Sequence, residues 1–334
     1  MKTLPARPPQ SSPVHFGGNQ PMRVIQTLPN QVRTNRRTRA WRETRRLLPI
    51  YALVLPGLVL FAVWTIYPLL DALVMSFFDW NPNPAASSTF LGWNNYAKAF
   101  ADPIFWQAFG NVIEYAVVTV PGQMILGLAV ALLLDRKLPA RGMFRVLYYL
   151  PVITSWVVVS FIFAYLFSSQ GGLVNWLLGD NLHVIPDTTT WLGSTTLALP
   201  TLMILGIWKG VGWNMVIFLA GLQSIPNDLY EVASVDGAGS WGRFRYITLP
   251  LLRPVIAFVT VMLVIGAFGA FIPMFILTQG GPEHSTETLM TYGYNNAFSS
   301  FDFGYGAAIT YIFTAFVFIL SLVQLKLLRT KIEY

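Results

Sequence analysis

Residues 224–254 read SIPNDLYEVASVDGAGSWGRFRYITLPLLRP, a polar island in a chain otherwise made of long apolar runs. Asp228, Glu231 and Asp236, then Arg243, Arg245 and Arg253, keep this segment out of hydrocarbon. Its first half predicts a short helix. Pro226 suits the first helical position, Asn227 and Asp228 put polar and acidic groups at the positive end, and Gly237 can stop the helix in the left-handed conformation. Leu229, Val232 and Ala233 share one face of that helix. A second helical pattern, Trp241, Phe244 and Ile247 at three-residue spacing, ends at Leu249-Pro250 and Arg253-Pro254. A pair of short helices between two apolar runs suits a docking surface.

Working outward, six apolar runs lie at about 49–74, 107–134, 146–168, 196–220, 254–278 and 306–327, each near the ~20 residues that cross a bilayer. Composition agrees: 54% of residues are hydrophobic and 11% charged, against roughly 25% charged in soluble domains. Basic residues set the orientation. One side collects Lys2, Arg7, Arg23, Arg33, Arg36, Arg37, Arg39, Arg42, Arg45 and Arg46, then Arg136, Lys137, Arg141, Arg145, Arg243, Arg245, Arg253, Lys326, Arg329 and Lys331. The other side has only Lys98. Both termini and the 224–254 loop are therefore expected in the cytosol. The net charge of +7 reflects this sidedness and does not point to nucleic acid.

Residues 1–47 predict a disordered, basic cytosolic tail; contact with anionic lipid or a partner through the arginines at 33–46 is the alternative. Residues 48–104 hold the first span and an outer loop rich in Trp, Asn and Pro, and 105–330 hold five further spans. The outer loops carry boundary-seeking aromatics such as Trp80, Trp93, Trp176 and Trp191, which anchor at the interface or meet an outer partner. Pro121, Pro151 and Pro200 lie inside runs, where each frees a carbonyl that neighbours must satisfy. With no cysteine the chain has no disulfide or thiolate metal site, and its three scattered histidines form no metal motif.

The spacing Glu231-Val232-Ala233, three residues, Gly237, nine residues, Ile247, one residue, Leu249-Pro250 resembles the cytoplasmic loop signature of permeases of binding-protein-dependent ABC importers. That family usually has Ala where this chain has Val232. FLAGLQSIP before the loop, LGWNNY before the second span and LTQGGPEHSTET before the sixth are similar to the sugar-importer branch. The resemblance implies an all-α membrane protein with the type I importer permease fold: six transmembrane helices and a cytoplasmic coupling-helix loop. It implies that Glu231, Val232, Ala233, Asp236, Gly237, Ile247, Leu249 and Pro250 engage an ATPase. It further implies a second homologous permease, two ATP-binding subunits that hold ATP and Mg, an extracytoplasmic solute-binding protein, and a location in a bacterial or archaeal cytoplasmic membrane. The solute is expected to be a di- or oligosaccharide; glycerol phosphate or another polyol derivative is the alternative.

A sugar path needs aromatic faces with amide or hydroxyl partners. Trp208, Lys209, Trp213, Asn214, Phe268, Phe271, Tyr305 and Tyr311 are the candidates, although aromatics in spans also serve packing. Lys209 either lines a polar cavity or snorkels to an interface, and an ion pair with Glu114 is one arrangement for it. Enzyme signatures are missing. Gly237, Gly239 and Gly242 fit G-x-G-x-x-G, yet no strand precedes them, and no lysine completes a P-loop. The chain is therefore expected to be a transport subunit without catalytic residues or a cofactor of its own. A self-sufficient channel is the reading from another class, and it would need no cytosolic docking loop.

Overall fold

The computed structural model describes residues 51–83, 87–136, 139–186 and 188–328. The expected tail 1–47 lies outside them, as do Lys137, Arg329 and Lys331 of the charge asymmetry. The chain divides into two units, Met1–Ala62 and Val63–Tyr334; the described part of the first, 51–62, is helical. Among the described residues five helices can cross a membrane: α1 (Tyr51–Met75), α3 (Pro103–Asp135), α6 (Ala198–Gln223), the stretch Arg253–Leu277, and α12 (Phe303–Leu327). Between α1 and α3 lie a small antiparallel ribbon, β1 (Phe78–Asp79) with β2 (Thr89–Phe90), and α2 (Asn94–Ala101). The ribbon is two residues a side in an otherwise helical chain, and the side-chain amide of Asn95 holds its first strand by donating to the carbonyls of both Ser76 and Phe78.

The third expected crossing differs from a straight rod over 146–168. It is a pair, α4 (Arg141–Ile153) and α5 (Trp156–Leu166), bent by 97°. Pro151 lacks an N–H to continue the ladder. Thr154 and Ser155 then offer local alternatives: Thr154 Oγ1 donates to the Leu150 carbonyl at 2.9 Å, and Ser155 Oγ accepts from the Val157 amide at 3.3 Å. Counting the pair as one span gives six.

Helix α6 is the centre. Of its apolar window 61% is buried, against 28% for α3 and 22% for α12. In lipid there is no hydrophobic drive between helices, so close packing must hold them. Small residues supply it. A Cβ on Gly127 of α3 would strike Asn214 of α6, and one on Gly212 of α6 would run into the Tyr148 carbonyl of α4. Val112, Leu202, Met215, Phe218 and Ile309 complete the core around these contacts. The stretch Arg253–Leu277 consists of α9 (Arg253–Phe268) and α10 (Ile272–Leu277), and α11 (Leu289–Tyr294) leads into α12.

Candidate functional site

Two places stand out: the hairpin that follows α6 and a cavity along α6. In the hairpin, α7 (Asn227–Val235) starts one residue after the expected position, with Pro226 ahead of its first turn. It ends as the sequence predicts. Gly237 has φ +82°, its amide donates to the Ser234 carbonyl, and the Ala238 amide donates to the Ala233 carbonyl at 2.8 Å, the pairing of a Schellman cap. The return limb is α8 (Ser240–Arg243), continued by a π-helical segment Phe244–Thr248 and the turn Leu249–Leu251. Two side-chain bonds hold the limbs together. The Tyr230 hydroxyl lies 2.9 Å from Thr248 Oγ1, and Arg243 donates to Ser234 Oγ at 3.2 Å.

The eight expected coupling residues separate into two groups. Glu231, Val232, Asp236 and Gly237 are exposed, whereas Ala233, Ile247, Leu249 and Pro250 are half-buried and support the hairpin. Val235 (88% exposed), Trp241 (73%) and Tyr246 (78%) are, like Val232, apolar side chains of the hairpin left uncovered. Among the described residues Glu231 has neither an ion pair nor a hydrogen-bond partner for its carboxylate. The sequence reading did not single out Tyr230 and Thr248 as pins or Val235 and Tyr246 as surface. Their signal was available, since apolar side chains in so polar a loop need a cover.

The cavity measures about 570 Å³, within the roughly 300–1,000 Å³ of small-molecule sites. Tyr115 and Gln123 of α3, Val152 and Trp156 beside the α4–α5 bend, Lys209 and Trp213 of α6, and Met262, Leu263, Gly266, Ala267 and residues 269–273 of the following stretch form its walls. It joins aromatic faces to an amide, a phenol and an ammonium, and among the described residues no carboxylate lines it. Lys209, 5% exposed, donates to the carbonyls of Pro151 and Thr154 at 2.7 Å each, and its Nζ lies 4.8 Å from the Trp156 ring centre. It neither snorkels nor pairs with Glu114. Glu114 is exposed on α3, while its neighbour Tyr115 faces α6.

Of the expected path residues, Lys209, Trp213 and Phe271 line this cavity together. Asn214 is buried just behind it, donating to the Gly210 carbonyl at 2.9 Å and lying 3.4 Å from Gln123 Oε1. The others lie elsewhere. Trp208 is 48% exposed against Phe163, because five residues along a helix turn it about 140° from Trp213. Phe268 packs on Phe313 and Phe316. Tyr311 donates to the Leu69 carbonyl and, with Phe271, borders a second, more apolar cavity of about 360 Å³. Tyr305 belongs to a polar cluster at the start of α3. Tyr115, Gln123, Val152 and Trp156 were missed because spans that are apolar on every side carry no periodicity marking an inward face.

In that cluster Asp102 accepts from the Ile104 amide at 2.9 Å, from Tyr305 at 2.6 Å and from Tyr292. Burial pushes its pKa up, but the hydrogen bonds from Tyr292, Tyr305 and the amides of Ile104 and Phe105 outweigh it and leave it below the ordinary 3.8. Burial, then the Asp102 carboxylate, pushes the Tyr292 phenol up to about 12. Lys98 adds an ion pair to Asp302 at 2.8 Å and sits 3.9 Å over the Tyr305 ring.

Residues 123–332 match the family described as "Binding-protein-dependent transport system inner membrane component". Curated proteins similar to the chain include the lactose transport system permease protein LacF of Rhizobium radiobacter, 36% identical over 83% of this chain and 93% of that one. The sulfoquinovosyl glycerol transport system permease protein SmoG of Agrobacterium fabrum is 34% identical over 86% and 92%. The probable ABC transporter permease protein YurN of Bacillus subtilis is 33% identical over 86% and 98%. Among solved structures, a chain of a bacterial ABC transporter involved in the import of alginate superposes with a TM-score of 0.76 at 23% identity, covering 87% of this chain and 98% of that one, a likeness of fold.

Proposed function

The chain belongs to the family of inner-membrane components of binding-protein-dependent transport systems, and from that premise we propose that it is the permease subunit through which an ATP-driven importer moves a di- or oligosaccharide. The observation that carries this reading is the continuity of α6. One largely buried helix lines the cavity with Lys209 and Trp213 and ends at Gln223, separated by three residues from the first helix of the exposed hairpin. About 1.5 Å of rise per residue puts the hairpin roughly 20 Å from the cavity along one stiff rod.

In this reading the hairpin faces the cytosol, as do both termini, in keeping with the basic residues gathered on that side of the spans. Its apolar surface and Glu231 dock an ATP-binding subunit that holds the ATP and Mg; this chain needs no cofactor. A second, similar permease completes the membrane part, and a solute-binding protein delivers the sugar to the outer loops. The path crosses the cavity, where Trp213 and Phe271 offer ring faces to a sugar and Gln123 offers a polar partner. Sugar is supported by similar permeases named for the transport of lactose and of arabinooligosaccharides.

The test is reconstitution in liposomes with the cognate ATPase, partner permease and binding protein. Sugar uptake is expected only when all are present and ATP is inside. Concentrative uptake by the chain alone would sink the proposal.

A further inference from the structure

Lys209 brings an ammonium into the helix bundle and meets no carboxylate there. Among the described residues the ion pairs are Lys98–Asp302 and His284–Glu287, and neither involves it. It meets the broken end of a helix instead. Where α4 stops and the chain turns by 97°, the last carbonyls lose their partners along the helix. Away from water such orphans are costly, and the negative end of a helix favours a cation. The ammonium donates to Pro151 O and Thr154 O at 2.7 Å each, with the Trp156 ring on a further side. An anion site would keep those hydrogens free, so the arrangement reads as a cap supplied by one helix to another.

One turn along α6, Gly212 lets its backbone lie directly on the Tyr148 carbonyl of α4. The two capped carbonyls bracket Val152 and adjoin Trp156, both of which line the cavity. We propose that Lys209 is a positioning residue of the transport path. It clamps the α4–α5 bend against α6 and thereby fixes the Val152–Trp156 wall of the cavity. The proposal rests on the reading of that cavity as the solute path.

The absence of native cysteine makes Val152→Cys a single-thiol reporter. In the fully assembled transporter in liposomes, a water-soluble maleimide reads how open the wall is. Lys209→Met is expected to speed labelling at least about fivefold and to lower uptake of a sugar already shown to bind the cognate binding protein, whereas Lys209→Arg keeps labelling within about twofold. Unchanged labelling in Lys209→Met overturns the clamp. Faster labelling with unaltered uptake upholds the clamp and removes the cavity from the path. Should Lys209→Met fail to assemble, Lys209→Gln decides: its amide donates without the charge, an intermediate rate is expected, and a parental rate overturns the proposal.

Discussion

The hydroxyl of Tyr230 lies 2.9 Å from Oγ1 of Thr248, and this contact ties the two limbs of the hairpin into one body. Thr248 is buried, and Tyr230 is packed against the core. The exposed residues of α7 are therefore presented by an ordered base. Tyr230→Phe removes one hydrogen bond worth about 0.5–1.5 kcal/mol. We expect ATPase association to weaken by about two- to tenfold. Thr248→Val should weaken it similarly, and the double variant should add less than the sum. Strict additivity in the binding assay would show that the pair does not act together.

Gly237 has only its backbone at stake. At φ +82° a side chain is strained, yet nothing lies within 4 Å of where a Cβ would be. Gly237→Val should therefore lose the hairpin cap at a cost of about 1 kcal/mol or more, and Gly237→Asn distinctly less, because Asn tolerates the left-handed region. Proteolysis at the hairpin in the detergent-solubilised chain measures the order, with Val cut faster than Asn and Asn faster than Gly.

Two glycines near α4 should respond with opposite sign. A Cβ on Gly212 would meet the backbone of Tyr148, which cannot swing aside, so Gly212→Ala should lower thermal stability by about 1–3 kcal/mol of overpacking. Gly142, in the first turn of α4 with open space around it, should gain up to about 0.5 kcal/mol on substitution by Ala. Melting curves of the purified chain decide, and equal effects would contradict the packing described.

Asp102 links acid sensitivity to the end of the bundle at which α3 begins. Its folded-state pKa is depressed below 3.8, so its contribution to stability is present above that value and is lost as pH falls through the lower, folded value. Asp102→Asn keeps the shape but weakens the charge-assisted bonds from Tyr292 and Tyr305. It should lower the melting temperature at neutral pH by about 2–6 °C, roughly 1–2 kcal/mol. The deficit should shrink below pH 4, and a deficit constant down to pH 2 would count against the depressed pKa.

The apolar surface of the hairpin offers a test of docking. Val235 is 88% exposed on α7. Val235→Asp and Val232→Asp should leave the fold intact and reduce copurification of the ATPase by about tenfold or more, the scale of an interface hot spot. Wild-type recovery would move the interface elsewhere.

The hairpin was legible in the sequence because water imposes rules there: an acid in the first turn, a glycine at the stop, proline at the exit. Inside the bilayer those rules lapse. The bend at Pro151 depends on Thr154, Ser155 and a lysine more than fifty positions away, a tertiary cap that local pattern does not encode. For the same reason Trp208 and Trp213 look alike as letters, and only the turn of α6 sends one to the cavity and the other outward.

The unbroken course of α6 has a thermodynamic corollary. If cavity wall and docking hairpin ride on one element with two positions, occupancy at either end biases the same equilibrium. Whatever factor nucleotide on the motor subunits imposes on the solute dissociation constant, solute must impose on that of nucleotide. Two titrations, each in the presence of the other ligand, should return one and the same number.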